Sequence, residues 1–214
     1  MSFGAVIKFS YSLLYYICKG DKLSLMIKMY SMKPILYFDL DNTLVDFQTG
    51  IDRILEDEAR KHLYEKDEVA WDEVEGIFGL MKPMPGAIEA VLELKEDFEL
   101  FILSTAPWKN PSAWSDKLEW VNRHFSEITR VNEKAETVGI FHKRLILTHR
   151  KDLLFRGNEY LIDDRPNNGA EAFGDHWIKF GPEGENVINH LSEEQKRQCW
   201  KDAVAELRKR CGKQ

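Results

Sequence analysis

The chain is poor in cysteine, has no excess of basic charge and contains no long apolar run. Its three cysteines, Cys18, Cys199 and Cys211, are odd in number and show no metal-ligand spacing. That pattern argues against a disulfide framework or a thiolate metal site and fits free thiols in a reducing, cytoplasmic setting. A formal net charge of −6 argues against a protein that grips a nucleic acid polymer, which normally presents a basic face. A small phosphorylated ligand stays open, because a cation and one or two lysines neutralise a phosphate. The most apolar stretch, residues 3–18, is interrupted by Lys8 and by serines. It falls short of the roughly 20 apolar residues of a spanning helix, and no small-residue cleavage site follows it cleanly. No membrane partner is expected. Residues 1–31 read as an N-terminal extension outside the core, with a targeting segment or a packed element as alternatives. Assembly is left open, a homodimer included.

What is present is a globular composition, 43% hydrophobic and 31% charged over 214 residues, enough for one α/β domain with a small insertion. From Lys33 onward the pattern is orderly. Ile35-Leu36-Tyr37-Phe38 is a continuous apolar run, as expected of a central strand buried on both faces. Further apolar strands are expected over 98–103, 145–147, 160–162 and 177–180. Residues 50–81 have helical spacing, with Ile51, Ile54, Leu55 and Ala59 and then Val74, Ile77 and Phe78, and read as a small helical cap. Pro83-Met84-Pro85-Gly86 punctuates the chain before a helix with Ile88, Val91, Leu92 and Leu94 inward. Trp114, Leu118, Val121 and Phe125 mark another amphipathic helix, and Trp200, Ala203, Val204 and Leu207 a terminal one. Residues 126–143 read as loop-rich, and 169–173 as a short helix. This alternation implies a Rossmann-like parallel sheet flanked by helices. The core is 32–49 with 82–214, and the cap 50–81.

The polar groups fall at strand ends, where ligands bind on such sheets. Asp39-Leu40-Asp41-Asn42-Thr43 follows the first strand and puts two carboxylates on one side of its terminus. Their repulsion and lost hydration call for a divalent cation. Ser104-Thr105 follows the second strand and Asp163-Asp164 the one at 160–162, while Lys117 sits on the helix after Ser104-Thr105. Each has a plain alternative: loop hydroxyls, a solvated lysine, a surface acid pair. Together they suit phosphoryl transfer, with a carboxylate attacking phosphorus. A second acid would protonate the leaving oxygen, magnesium would sit on hard oxygens, and Ser104, Thr105 and Lys117 would hold the phosphoryl group.

These motifs resemble those of the haloacid dehalogenase-like phosphatases. Several segments are similar more narrowly to the 5′(3′)-deoxyribonucleotidase family: Asp39 through Phe47, Pro-Met-Pro-Gly-Ala-Ile-Glu-Ala-Val at 83–91, Lys-Leu-Glu-Trp-Val at 117–121, Leu-Thr-x-x-Lys at 147–151 and Leu-Ile-Asp-Asp-Arg-Pro at 161–166. The resemblance implies Asp39 as nucleophile and Asp41 as general acid and base. It implies Mg2+ held by Asp39, the Asp41 carbonyl and Asp163, with Asp164 acting through water, and a nucleotide as the small-molecule substrate. It also implies an aromatic base pocket between core and cap that includes Phe47, with Phe78 and Trp71 as weaker candidates. Lys151 is either a phosphate contact or a solvated surface lysine. The chain departs from the family's vertebrate pattern at Asn42-Thr43, where Gly-Val is usual, and at His149, where an arginine stands. Residues 126–140 look like extra sequence. Another small phosphomonoester as substrate, or a non-catalytic regulatory domain of the same fold, remain the competing readings.

Overall fold

Each expected apolar run becomes a strand of a single sheet. The computed structural model describes residues 33–64, 68–184 and 186–212; the reading of residues 1–31 lies outside the described residues. Among the described residues the strands are β1 (Ile35–Phe38), β2 (Val45–Asp46), β3 (Lys82–Pro83), β4 (Glu99–Ser104), β5 (Thr129–Val131), β6 (Thr137–Gly139), β7 (Leu145–Leu147), β8 (Tyr160–Asp163) and β9 (Trp177–Lys179). Five of them form a parallel sheet in the order β7-β4-β1-β8-β9. The central strand β1 alternates between two covered faces. Leu36 and Phe38 pack with Leu100, Ile102 and Ile162 on one side, while Tyr37 packs with Leu103, Leu161 and Phe173 on the other. That double burial explains why the strands read as unbroken apolar runs rather than as alternating ones.

Register decides where the chemistry falls. Phe38 is level with Ile102 of β4 and with Ile162 of β8, so the residues just beyond all emerge at one edge. The Asp39 N–H donates to the Ile162 carbonyl at 2.9 Å, which extends the β1–β8 ladder to the first acid itself.

The helices are α1 (Gln48–Glu56), α2 (Ile77–Leu80), α3 (Ala87–Leu94), α4 (Ser112–Phe125) and α5 (Glu193–Arg210). Residues 47–81 leave and rejoin the core through a two-stranded antiparallel ladder in which Val45 faces Pro83 and Asp46 faces Lys82. The stretch around 71–80 is not one helix, as its spacing suggests. A 3₁₀ turn at Trp71–Glu73 is separated from α2 by Gly76 at φ 76°, a left-handed conformation that ends helical propagation.

The inward faces also differ in detail from the sequence expectation. On α3 the buried residues are Ala87, Ala90, Val91 and Leu94, and Leu92 is exposed. On α4 they are Ala113, Lys117, Trp120, Val121 and Phe125, whereas Trp114 and Leu118 are 41% and 50% exposed. The apolar pattern misleads on α4 because a lysine holds an inward position. Residues 126–143 contain the β5–β6 hairpin. Its turn is closed by Asn132 Oδ1, which accepts from the N–H groups of Lys134 and Glu136 at 2.9 Å each. The expected short helix at 169–173 is part of a longer kinked 3₁₀ stretch, Asn167–His176, with positive φ at Asn168, Gly169 and Gly174. Helix α5 begins with a capping box, Ser192 Oγ accepting from the Gln195 N–H and the Gln195 side chain from the Ser192 N–H. No helix among the described residues is long and apolar enough to cross a membrane.

Candidate active site

The turn after β1 is wound tightly enough to hold both of its acids at the sheet edge. The Thr43 and Val45 N–H groups both donate to the Leu40 carbonyl, at 3.1 and 2.8 Å. Asn42 takes φ 56° at the tip, a left-handed position that asparagine tolerates better than most residues. Leu40 and Leu44 are buried on the core side and anchor the turn, leaving Asp39 and Asp41 toward the strand ends.

Two buried ammonium groups meet these acids. Lys117 reaches inward from α4, its Nζ 2.6 Å from Asp41 Oδ2, 2.6 Å from the Thr105 carbonyl and 3.3 Å from Ser104 Oγ. The Phe78 ring lies 4.6 Å from the same ammonium, a cation–π contact on its apolar side. Lys151, on a 3₁₀ turn (Lys151–Leu154) after β7, donates to Asp39 Oδ1 at 2.8 Å and also to Asp163 Oδ2. It is 3% exposed. The solvated alternative for Lys151 is therefore wrong: the turn folds inward and the ammonium sits between two carboxylates. The spacing Leu-Thr-x-x-Lys was the available signal, and a lone lysine after a strand has no apolar periodicity to mark it as buried.

The second acidic pair, Asp163 and Asp164, completes the group. Asp163 Oδ1 accepts from the Arg165 N–H at 3.0 Å, and Asp164 pairs with the Arg165 side chain at 3.5 Å. One carboxylate oxygen from each of Asp39, Asp163 and Asp164 lies within 4.8 Å of the others. The Asp41 carboxylate is outside that triplet and engages Lys117 instead.

Electrostatics separates the acids. Burial opposes ionisation of Asp39, but the charges of Lys151 and Lys117 outweigh it and hold this carboxyl below its ordinary range. Burial lifts Asp41, with Lys117 opposing and Asp39 adding to the rise. Burial and the Asp39 charge push Asp163 well up, and the same causes raise Asp164 to about 7. Lys151 is raised despite its burial, because Asp39 and Asp163 favour its charged form. Two acids two residues apart are thus shifted in opposite directions, Asp39 downward and Asp41 upward.

A cavity of about 510 Å³ opens from this cluster. Asp41, Asn42, Thr105 and Arg165 line one part of it, and Phe47, Ile51 and Trp71 supply apolar wall. The expected residues do not all face it. Ser104 is buried beneath, against Lys117. Phe47 lines the cavity and packs edge-on against Phe78, centroids 5.8 Å apart. Phe78 is itself buried over Lys117 and belongs to the packing below the site. Trp71 lines the cavity and leans on Tyr64. His149 is exposed and contacts Trp108, centroids 6.5 Å apart. Asn42, read from sequence only as a departure, lines the cavity directly.

The model of the family described as 5′ nucleotidase, deoxy (pyrimidine), cytosolic type C matches residues 51–210. The chain belongs to this family. It is accordingly a phosphoric monoester hydrolase of the nucleotidase type. A relative from Vibrio phage KVP40, described as a candidate 5′(3′)-deoxyribonucleotidase, is 44% identical over 170 residues, covering 77% of this chain and 88% of that one. A protein of Staphylococcus epidermidis with the same description is 29% identical over 118 residues, 55% of this chain and 56% of that one. The family match begins after the Asp39–Asp41 turn, so the case for these two acids rests on their geometry.

Proposed function

We propose that the chain is a magnesium-dependent phosphatase that hydrolyses deoxyribonucleoside 5′(3′)-monophosphates through an aspartyl-phosphate on Asp39. In this reading residues 50–81 serve as a cap over a core of 32–49 and 82–214. The observation that carries it is the geometry at one strand end, where Asp39 and Asp41 are each touched by their own buried lysine and Asp39 is grouped with Asp163 and Asp164. The names of the relatives support the deoxyribonucleotide, and the apolar wall of Phe47, Ile51 and Trp71 suits the base and sugar. An apolar surface beside the sugar disfavours a ribose 2′-hydroxyl that loses water without gaining a partner. The free thiols of Cys199 and Cys211 are in keeping with a cytoplasmic setting.

The acids fit a divalent cation. Asp39, Asp163 and Asp164 offer hard oxygens close together, Asp164 Oδ1 is buried without a partner, and burial penalises these carboxylates in a way a cation relieves. Those three side chains, with the Asp41 carbonyl, would hold it. When bound, magnesium neutralises and aligns the phosphoryl group.

The residues then divide the work. Lys151 keeps Asp39 ionised, and an Asp39 oxygen attacks phosphorus: the Asp39 O–P bond forms and the ester P–O bond breaks. Asp41, protonated, passes its proton to the leaving oxygen; its Oδ1 has no other partner. Water then adds to phosphorus as the Asp39 O–P bond breaks, and Asp41 takes the water proton. Lys117 and Thr105 hold phosphoryl oxygens, and Ser104 orients Lys117.

The test is a panel of dUMP, dTMP, UMP and a sugar phosphate, assayed with and without Mg2+, in the wild type and in Asp39→Asn. The reading expects the deoxynucleotides to be turned over fastest and only with the metal. Asp39→Asn stays folded, loses turnover and takes up no acid-stable label from radioactive substrate. Wild-type turnover by Asp39→Asn would refute the covalent scheme. Equal rates across the panel would refute the substrate.

A further inference from the structure

The loop that leaves β4 at Thr105 runs on to Asn110, whose side-chain nitrogen is directed at the insertion. The residue is 2% exposed. Its Nδ2 donates to the main-chain carbonyls of Asp72 and Val74, both at 3.0 Å. Its Oδ1 accepts from Ser112 Oγ at 2.9 Å, and Ser112 Oγ in turn accepts from the Gly76 N–H at 2.9 Å. Asn110 is itself fixed, its N–H donating to the Pro107 carbonyl at 3.1 Å. Two main-chain carbonyls of residues 72–76 therefore find a partner in Asn110, and the Gly76 N–H finds its partner in Ser112 at the start of α4. Val74 is the only buried residue among 68–76; besides the Asn110 contacts, the segment is tied by Arg60 to the Glu75 carbonyl at 2.7 Å and by Lys109 to Glu73 at 3.0 Å. Yet Trp71 and Asp72 of this segment and Thr105 and Pro107 of the loop line the same cavity.

We propose that Asn110 is a positioning residue that clamps residues 69–76 to the loop next to the phosphate site, so that the part of the substrate beyond the phosphate meets a wall already in place. The proposal rests on the phosphatase reading above, and it assigns Asn110 no contact with the reacting atoms. Removing the amide leaves the Asp72 carbonyl without its donor and the Val74 carbonyl with only the Ile77 N–H at 3.3 Å, and such groups seek water instead. The segment then loosens, and binding has to order it again. That cost falls on substrates reaching Trp71, while the phosphate end, held from Lys117 and Thr105, does not feel it.

The test compares wild type with Asn110→Ala on dUMP, using inhibition by inorganic phosphate as the probe of the phosphate end. The clamp expects KM for dUMP to rise roughly tenfold, with kcat and the phosphate inhibition constant within about twofold, the signature of lost binding rather than lost chemistry. Hydrogen exchange at the Gly76 amide should quicken in parallel. If another ester on the panel proves the better substrate, the deoxynucleotide assignment falls while the clamp is read on that ester in the same way. Should Asn110→Ala fail to fold, Ser112→Ala removes the acceptor of the Gly76 amide and is expected to show the same split, smaller in size. An unchanged KM, or a fall in kcat matched by weaker phosphate inhibition, would overturn the proposal.

Discussion

At the scale of single residues, Lys151 has the greatest consequence for the site. Its ammonium contacts both Asp39 and Asp163, and its charge counters the burial that pushes the Asp39 carboxyl upward. Lys151→Met should therefore lower kcat by a hundredfold or more, on the order seen when one preorganised stabilising donor is removed. Stability should fall too, because Asp39 and Asp163 are left buried without their shared partner. Turnover assays together with thermal melting check both, and a variant of near-normal kcat would remove Lys151 from the machinery. A pH effect belongs at this scale as well. Burial disfavours the Glu159 carboxylate, but N–H donors from Arg156 at 2.7 Å and Asn158 at 3.3 Å outweigh it and hold the group below its usual range. A carboxyl depressed in the folded state contributes stability above its unfolded pKa and loses it as pH falls through the folded value. Glu159→Gln should be less stable than wild type at neutral pH, with the gap closing in acid. Denaturation curves across that range measure it, and a gap independent of pH would contradict the assignment.

At the scale of elements, the ladder at the base of the insertion is pinned from the far end of the chain. Lys196 on α5 meets Asp46 Oδ2 of β2 at 2.7 Å, both side chains buried, and Asp46 Oδ1 has no partner. The Asp46 carbonyl accepts from Thr49 Oγ1 at 2.6 Å, and Thr49 Oγ1 accepts from the Lys82 N–H of β3 at 2.8 Å. Breaking one side of a buried pair costs about 3–5 kcal/mol, so Lys196→Met should destabilise by that order. The double variant Lys196→Met with Asp46→Asn should recover part of the loss, since no isolated charge remains. Chemical denaturation of the four proteins gives the coupling; additive losses would mean the pair is not energetically linked. The strands of this fold are legible in the sequence because burial on both faces writes them as short apolar runs. The helix faces are less so, and α4 shows why. Lys117 and Trp120 point inward while Trp114 and Leu118 stay partly in solvent, so a buried lysine breaks the apolar stripe that periodicity looks for. The β5–β6 hairpin escapes notice because its strands are three residues each, with half of their positions exposed and none buried, leaving Asn132 as a local signal.

At the scale of the whole molecule, the sheet order explains how so dispersed a set of residues becomes one site. Placing β1 between β4 and β8 brings the residues after Phe38, Leu103 and Ile162 side by side, and β7 next to β4 delivers Lys151 from the turn beyond. Asp39, Asp41, Ser104 and Asp163 are legible from sequence because each directly follows an apolar run. Lys151 and Asn110 are not, because both lie on loops whose course depends on long-range contacts. One such contact is Gly169, at φ 89°, where an added Cβ would come within 2.6 Å of Asp152, beside Lys151. Convergence also concentrates buried negative charge, and that charge makes global stability sensitive to the proposed metal. A cation that binds only the folded chain stabilises it by about 2.7 kcal/mol at a hundred times its Kd. For a chain of this length each kcal/mol moves Tm by roughly 2–4 °C, so saturating Mg2+ should raise Tm by several degrees and a chelator should reverse the rise. Asp163→Asn should abolish most of that response, because it removes one of the three grouped carboxylates while leaving Asp39 paired with Lys151. Melting curves with and without Mg2+ decide the matter without any measurement of activity. An undiminished magnesium shift in Asp163→Asn would move the ion away from Asp39, Asp163 and Asp164, and with it the account of why these acids are gathered there.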